Sequence, residues 1–484
     1  MRLIERVAAS YARDVKRILP RETRRGCLVF VLALQAFLML MPSIAAQETP
    51  PASTVAQMDR RPVIALTLPR AVEMAMQHNR HLALAQLATA ESREKRTIAQ
   101  SHFYPQISNQ SMASYLTDLE GVVTPAGAFG NFPSTGPIPS HAIRVAQGAQ
   151  TAYTSGTGLV QPLTQYFKIR AGDRAAKADV RTAEIEEKDT ENSISLLVHK
   201  LYFNILTAQA HLSANEESVK AATTNEQEST RAVAEGSALE VALLESHADL
   251  LDQQESALTV QLSIDDLTLQ LDDALGLPLG TRLALDPDGL GDPPKVPSRS
   301  DAIATIKEHN PRVLAARQSV EKAKAGVSAA RDAYIPDISG TARYSYQSGI
   351  PFLVHNFGSF GGRVSYDLFD GGAREAELRE AKIQLAMAET QLQQTESDVS
   401  IEVASAYDKV EQLQKLVAVA TEALKTRVEA ARISDQRLEQ NAALPSTVAK
   451  NHAAAYAAKA SMLGAQFGLF LAENNIQQLL GQRP

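Results

Sequence analysis

The sequence predicts a mainly α-helical fold with a small β part: long antiparallel helical hairpins that line up as an α-barrel, and four strands per chain that contribute to a shared membrane β-barrel. Three observations carry this expectation. The chain is written twice, its proline-free tracts have the composition of long helices, and each copy holds two adjacent strand-like segments.

The duplication is ungapped over two stretches. Residues 67–115 align with 298–346 at a shift of 231, which matches Ala71, His78, Asn79, Pro105, Ile107 and Tyr115 with Ala302, His309, Asn310, Pro336, Ile338 and Tyr346. Residues 158–276 align with 363–481 at a shift of 205, so that Leu163 meets Leu368, Tyr202 meets Tyr407 and Gly276 meets Gly481. The difference of 26 between the shifts is an enlarged loop in the first copy, between Tyr115 and Gly158. Copies of this length are not the units of a short-repeat solenoid.

Composition argues for long helices. Trp is absent, aromatics are 5% of the 484 residues, and long tracts are built from Ala, Leu, Gln, Glu, Lys and Arg. A formal charge of −7 gives no support to nucleic-acid binding. At the N-terminus, Arg21, Arg24 and Arg25 precede an apolar run from Cys27 to Met41 and the small residues before Ala46. That order predicts a signal peptide over 1–46, cleaved after Ala45 or Ala46, because the run is shorter than the roughly 20 residues of a membrane span. Cys27 is the only cysteine and would leave with this segment, so no thiolate metal site or disulfide is expected, and no cofactor. Residues 47–66, with Pro50, Pro51 and Pro62, read as a flexible leader.

The first repeat, 67–276, begins with a helix from Thr67 to His78-Asn79 that carries Pro69 in its first turn. Its partner in the second repeat, 298–484, starts at Ser298, which has capping-box spacing to Asp301. Asn310-Pro311 marks a stop and restart, and the next helix runs over Arg80–His102 or Pro311–Ala333 until Pro105 or Pro336. Partial alternation then predicts strands at Tyr104–Leu116 and Gln150–Leu163, and at Tyr334–Ser348 and Gly361–Phe369, forming hairpins over 104–163 and 334–370. Each strand has about the ten residues that a tilted membrane strand needs. Leu116–Ser155 is the enlarged loop.

Long helical hairpins follow, over 168–276 and 371–481. No proline lies between Pro162 and Pro278 or between Pro351 and Pro445. Lys168–Ala234 as one helix is about 100 Å long. It is broken at Glu235-Gly236-Ser237, and its partner at Gln440-Asn441-Ala442, because Gly and Asn tolerate the left-handed conformation that ends a helix. Leu239–Leu275 and Pro445–Leu480 return antiparallel. Residues 277–297, with five prolines, connect the repeats as a hinge. Four strands cannot close a barrel, for which single chains start at about eight. Two copies would supply eight strands and three would supply twelve.

In this order and spacing, the chain resembles the TolC-type outer membrane efflux proteins over nearly all of its length after the leader. The marks are 68–79 (LPRAVEMAMQHN), 302–311 (AIATIKEHNP), the strand starts at Pro105 and Pro336, Tyr366-Asp-Leu-Phe-Asp-Gly-Gly372, Leu201-Tyr202 with Ala406-Tyr407, and 275–279 (LGLPL). The resemblance implies a homotrimer in outer membrane lipid, with a twelve-stranded barrel and an α-helical tunnel in the periplasm. It also implies docking to a periplasmic adaptor and an inner-membrane transporter, either a pump or a type I secretion apparatus.

By this resemblance, Glu235, Gly236, Ser237, Gln440, Asn441 and Ala442 form the periplasmic tip that meets the adaptor. The chain departs from the family pattern six residues after each turn, where an expected Asp is Ala242 or Thr447. Glu240, Glu245 and Asp249 are the candidates to supply negative charge to the tunnel instead. Tyr115, Tyr153, Tyr346 and Tyr366 are candidates for an interfacial aromatic belt. Asp370-Gly371-Gly372 marks the turn from strand to helix, and His78 and His309 read as helix-end packing residues rather than a paired metal site. No P-loop, nucleotide-binding glycine turn or metal-spaced His pair is present, so an enzyme has no constellation to build on. The residues alone also allow a structural or adhesive coiled-coil protein with soluble hairpins.

Overall fold

The computed structural model describes residues 64–115, 117, 121–146, 149–287, 296–349 and 354–484. The expected signal peptide, most of the leader and part of the connector lie outside the described residues. Within residues 62–484, the duplication is repeated in three dimensions.

The first repeat comprises β1 (Ile64–Leu66), α1 (Leu68–His78), α2 (Arg80–Ser101) and β2 (Gln106–Tyr115). The short strands β3 (Gly121–Thr124), β4 (Asn131–Phe132), β5 (Gly136–Pro137) and β6 (Ile143–Ala146) lead to β7 (Thr151–Pro162), α3 (Tyr166–Ala234) and α4 (Glu240–Leu275). After β8 (Leu283–Leu285) come α5 (Arg299–His309), α6 (Pro311–Asp332), β9 (Asp337–Ser348), β10 (Asn356–Ser365), α7 (Ala373–Glu439) and α8 (Pro445–Leu479). Moving α1 and α2 by the sequence shift of 231 lands on the bounds of α5 and α6.

Local chemistry sets these boundaries. Asn79 accepts hydrogen bonds from the His81 and Leu82 amides and starts α2; Asn310 accepts from the Arg312 and Val313 amides and starts α6. Ser298 caps α5 through the Asp301 amide. Gly276 and Gly481, at φ +70° and +72°, end the returning helices. A Cβ at either would collide with the preceding short helix, at 2.8 Å from the His78 carbonyl oxygen and at the His309 carbonyl oxygen.

Four strands make one antiparallel sheet in the order β10-β9-β7-β2. The hairpin registers obey the same two shifts: Gln106 opposes Val160, and their repeat partners Asp337 and Ser365 oppose each other. The edge strands β2 and β10 are exposed almost throughout.

The long helices pack side by side in the order α4, α3, α8, α7, with α2 against α3 and α6 against both α3 and α7. Large apolar side chains concentrate near the middle of the hairpins. Leu68, Ala71, Val198, Tyr202, Phe203 and Leu271 form one cluster; Ile306, Val313, Val399, Val403 and Ile476 form the second. Elsewhere the contacts rest on Ala, as at Ala178, Ala214, Ala221 and Ala222, which lets helices run close together.

The structure differs from the sequence expectation at the leader, the connector and the final strand. The leader does not extend to residue 66, because Ile64–Leu66 pairs in parallel with Leu283–Leu285 of the connector. The Tyr202 hydroxyl fastens this pair: it lies 2.8 Å from the Leu66 carbonyl oxygen, 2.9 Å from that of Asp286, and accepts from the Asp286 amide. The connector is therefore held at Leu283–Leu285 rather than loose throughout. The final strand lies at Asn356–Ser365, ahead of Gly361–Phe369, because its ladder with β9 runs from Asn356 through Ser365. Within the enlarged loop, β3 pairs with β6 and β4 with β5.

Candidate functional site

The two faces of the sheet differ in their large apolar side chains. Because side chains alternate, the observed registers place Ile107, Tyr115, Tyr153, Leu159, Ile338, Tyr344, Tyr346, Phe360 and Val364 on one face, together with the hydrogen-bonded polar group Asn109, Ser111, Ser155 and Thr157. The other carries Gln106, Ser108, Gln110, Ser339, Thr341, Arg343 and Arg363, with Met112, Val160 and Phe357 among them. A more apolar face opposite one that holds the arginines fits a membrane strand that borders a water-filled lumen. Arg343 occupies space above Gly156, where a Cβ would meet its guanidinium at 2.5 Å.

Tyr115, Tyr153 and Tyr346 share the apolar face near one end of the sheet, with the Tyr153 and Tyr346 rings 5.8 Å apart. Tyr366 lies at the opposite end, beyond β10. It is joined there by Phe103, Tyr104, Tyr166, Phe167 and Tyr334; the rings of Phe103 and Tyr166 are 5.2 Å apart. This second aromatic cluster was not singled out from the sequence. Its signal was present, since aromatics flank both Pro105 and Pro336.

The corner from β10 into α7 is built by Asp370. Its carboxylate accepts from the Gly372 amide at 2.9 Å and from Arg374 Nε at 2.5 Å. The guanidinium of Arg374 holds the Asp370 carboxyl well below its ordinary range, at about 2. Arg374 stacks 4.7 Å from the Tyr366 ring centroid. Gly371 and Gly372 have φ of +67° and +88°, so the glycines serve the turn.

The far ends of the hairpins form the tip. Glu235, Gly236 and Ser237 end α3 in a Schellman turn: the Ser237 amide donates to Ala232 O at 2.8 Å and the Gly236 amide to Val233 O at 3.0 Å. Gln440, Asn441 and Ala442 repeat it, with the Ala442 amide donating to Arg437 O at 2.8 Å and the Asn441 amide to Leu438 O at 2.9 Å. Asn441 is the only non-glycine residue with positive φ among the described residues, at 54°. All six residues are exposed. A cavity of about 710 Å³ lies beside the second turn, lined by Ile433, Arg437, Asn441, Leu444 and Thr447.

Glu240, Glu245 and Asp249 are exposed on α4. Asp249 lines a cavity of about 260 Å³ with Ala221, Ala222, Lys450 and Ala453. The structure reveals other contacts near the tip. Glu228 on α3 accepts from the Ser446 amide at 2.9 Å and from the Ser446 hydroxyl, capping the start of α8 across the repeats. His247 meets Glu226 at 2.6 Å, and His452 meets Asp435 at 2.9 Å. His247 and His452 are the same repeat position, a coincidence visible in the sequence at the shift of 205.

His78 and His309 each point Nδ1 at a carbonyl oxygen one turn back, Met74 at 3.1 Å and Thr305 at 3.2 Å. Among the described residues, no group of three or more His, Cys, Asp or Glu is arranged to hold a metal. Nor is any described helix long and apolar enough to cross a membrane. Burial pushes the Tyr202 phenol up to about 12, which keeps it protonated as the clasp of β1 and β8.

The outer membrane efflux protein family matches the chain over residues 71–277 and again over 302–482, once on each repeat. No match to a curated protein sequence is found. Among solved structures, the outer membrane protein VceC of Vibrio cholerae is similar at 17% identity and a TM-score of 0.65, over 86% of this chain and 96% of that one. The Campylobacter jejuni CmeC outer membrane channel aligns at 15% identity and a TM-score of 0.67, over 91% and 94%. The open state of the Neisseria gonorrhoeae MtrE outer membrane channel aligns at 17% and 0.67, over 90% and 97%. With both repeats matched across most of its length, the chain belongs to the outer membrane efflux protein family.

Proposed function

We propose that this protein is the outer membrane channel of a tripartite efflux or type I secretion system. Three copies share one barrel and one helical tunnel, and substrates pass through without a bond being made or broken. The energy comes from an inner-membrane transporter, and a periplasmic adaptor meets the tip around Gly236 and Asn441.

The observation that carries this reading is the sheet. Its four strands carry most of their large apolar side chains on one face and the arginines Arg343 and Arg363 on the other, leave two edges free, and connect at one end to the long helices. Lipid tolerates no open sheet edge, so a membrane sheet of this size must close with other copies. Three copies of four strands give a twelve-stranded barrel. An adhesive coiled coil with soluble hairpins gives no reason for the exposed apolar face.

The test is fractionation of a Gram-negative cell that expresses the full chain. The expected result is recovery with outer membranes as a detergent-extracted trimer without a lipid anchor. Recovery as a soluble monomer in the absence of detergent would overturn the proposal.

A further inference from the structure

Charge is distributed unevenly over the sheet. Among the described residues of the four strands and the enlarged loop, Arg144, Arg343 and Arg363 stand against one carboxylate, Asp337. Asp337 is already paired, because its carboxylate accepts from Lys168 Nζ of α3 at 3.0 Å. Arg343 and Arg363 share a face with Asp337 and are exposed, and neither has a hydrogen bond or ion pair among the described residues. Asp118 and Glu120 of the enlarged loop lie outside the described residues. The chain as a whole carries a formal charge of −7, so an excess of arginine here runs against its general composition.

The registers place the two guanidiniums at different depths. Arg343 sits midway along β9, opposite Ser359 on one side and Gly158 on the other. The wall beside it is bare: its guanidinium lies across Gly156, and a Cβ at Gly158 would meet nothing within 4 Å. Arg363 opposes Ser339, four residues or about 13 Å nearer the long helices. There it lines a cavity of about 690 Å³ with His102, Gln106, Asp337 and Ser339. An unpaired guanidinium at mid-membrane is strongly disfavoured against lipid. Arg343 therefore marks its face as the one that borders water. Low-dielectric walls around a water-filled passage focus the field of such a charge.

Resting on the trimeric-channel reading, we propose that Arg343 and Arg363 make the strand section of the lumen an anion-attracting passage. Three copies set one ring of guanidiniums midway along the barrel and a second ring at its foot. Rings of arginine favour anions in pores. A guanidinium also receives carboxylate and phosphate groups through paired hydrogen bonds. Solutes that carry such groups enter this section in preference to cations. The channel then adds its own charge selection to that of the transporter behind it.

The experiment reads the field beside each arginine with charged thiol reagents. In the full chain with Cys27→Ser, Ser359→Cys is exposed in outer membranes to two methanethiosulfonates, one bearing a sulfonate and one a quaternary ammonium. Each rate is divided by that of the same reagent with a neutral small thiol. The normalised sulfonate rate is expected to exceed the ammonium rate about fivefold. Arg343→Gln should bring the two rates together, and Arg343→Lys should keep them apart. Ser339→Cys reports on Arg363 in the same way. Phe360→Cys, on the opposite face, is expected to react with neither reagent. Equal rates at both lumen cysteines, a ratio that ignores Arg343→Gln, or no reaction at either lumen cysteine overturns the anion passage. If Phe360→Cys stays inert while the lumen cysteines react without charge preference, the channel reading still stands. Reaction at Phe360→Cys as fast as at Ser359→Cys shows that the sheet is no wall between lipid and water, and overturns both.

Discussion

Asn79 and Asn310, repeat partners 231 positions apart, make the same three hydrogen bonds. Each side-chain oxygen accepts from two amides at the start of the following helix. Each side-chain nitrogen donates to the last turn of the returning long helix, Asn79 to Ala274 O at 2.9 Å and Asn310 to Leu479 O at 2.8 Å. One buried amide thus ties the short helices to the long hairpin in both halves of the molecule.

Replacing either residue by Ala removes an N-cap, a loss of typically about 1 kcal/mol, and leaves a buried carbonyl without that donor. Asn79→Ala and Asn310→Ala should each destabilise the protein by about 2–3 kcal/mol. Thermal unfolding of each variant checks this, and equal losses from the two are expected from the equivalence of the sites.

His199 supplies a pH prediction. It is buried against Phe203 and Phe470, with Nδ1 2.8 Å from Ser195 O. Burial lowers its pKa below the usual histidine value. The unfolded chain then binds the proton more readily, so stability falls as pH drops below about 6.5. His199→Phe should lessen the loss of stability between pH 8 and pH 5, measured by thermal unfolding at both. An unchanged or larger loss would contradict this assignment.

The enlarged loop should lie outside the cell, at the end of the sheet remote from the long helices. An epitope inserted at Gly130, between β3 and β4, should be labelled by antibody on intact cells. Labelling only after the outer membrane is permeabilised would reverse the topology.

The two Schellman turns should form the adaptor-facing mouth. Proline cannot adopt the positive φ of Gly236 and Asn441, 72° and 54°. Gly236→Pro combined with Asn441→Pro should abolish export of a transporter substrate and cross-linking to the adaptor, with outer membrane trimer retained. Export and cross-linking at the unmodified level would show that docking occurs elsewhere.

Most helices were legible because their ends are marked by local chemistry. Asn79, Asn310, Pro311, Gly236 and Gly276 each start or end a helix within a few residues of their own position, although the bonds of Asn79 and Asn310 to the long helices were not visible in this way. The strands were less so. Gly358, Gly361 and Gly362 give β10 little apolar periodicity, and only its ladder with β9 fixes where it begins. Strands β1 and β8 have three residues each, too few for a pattern, and form by pairing across more than two hundred residues of chain. At the tip, the turns followed from Gly and Asn. The Glu228–Ser446 clasp did not, because it depends on how two helices from different repeats align along their length.

Three copies are proposed to close one continuous wall through the membrane and the periplasm. Image reconstruction of the protein in lipid nanodiscs counts the elements around the axis. Three copies are expected, with twelve strands in the membrane (four per copy) and four long helices per copy around one tunnel. A different number of copies, or a sheet that remains open at β2 and β10, would contradict it.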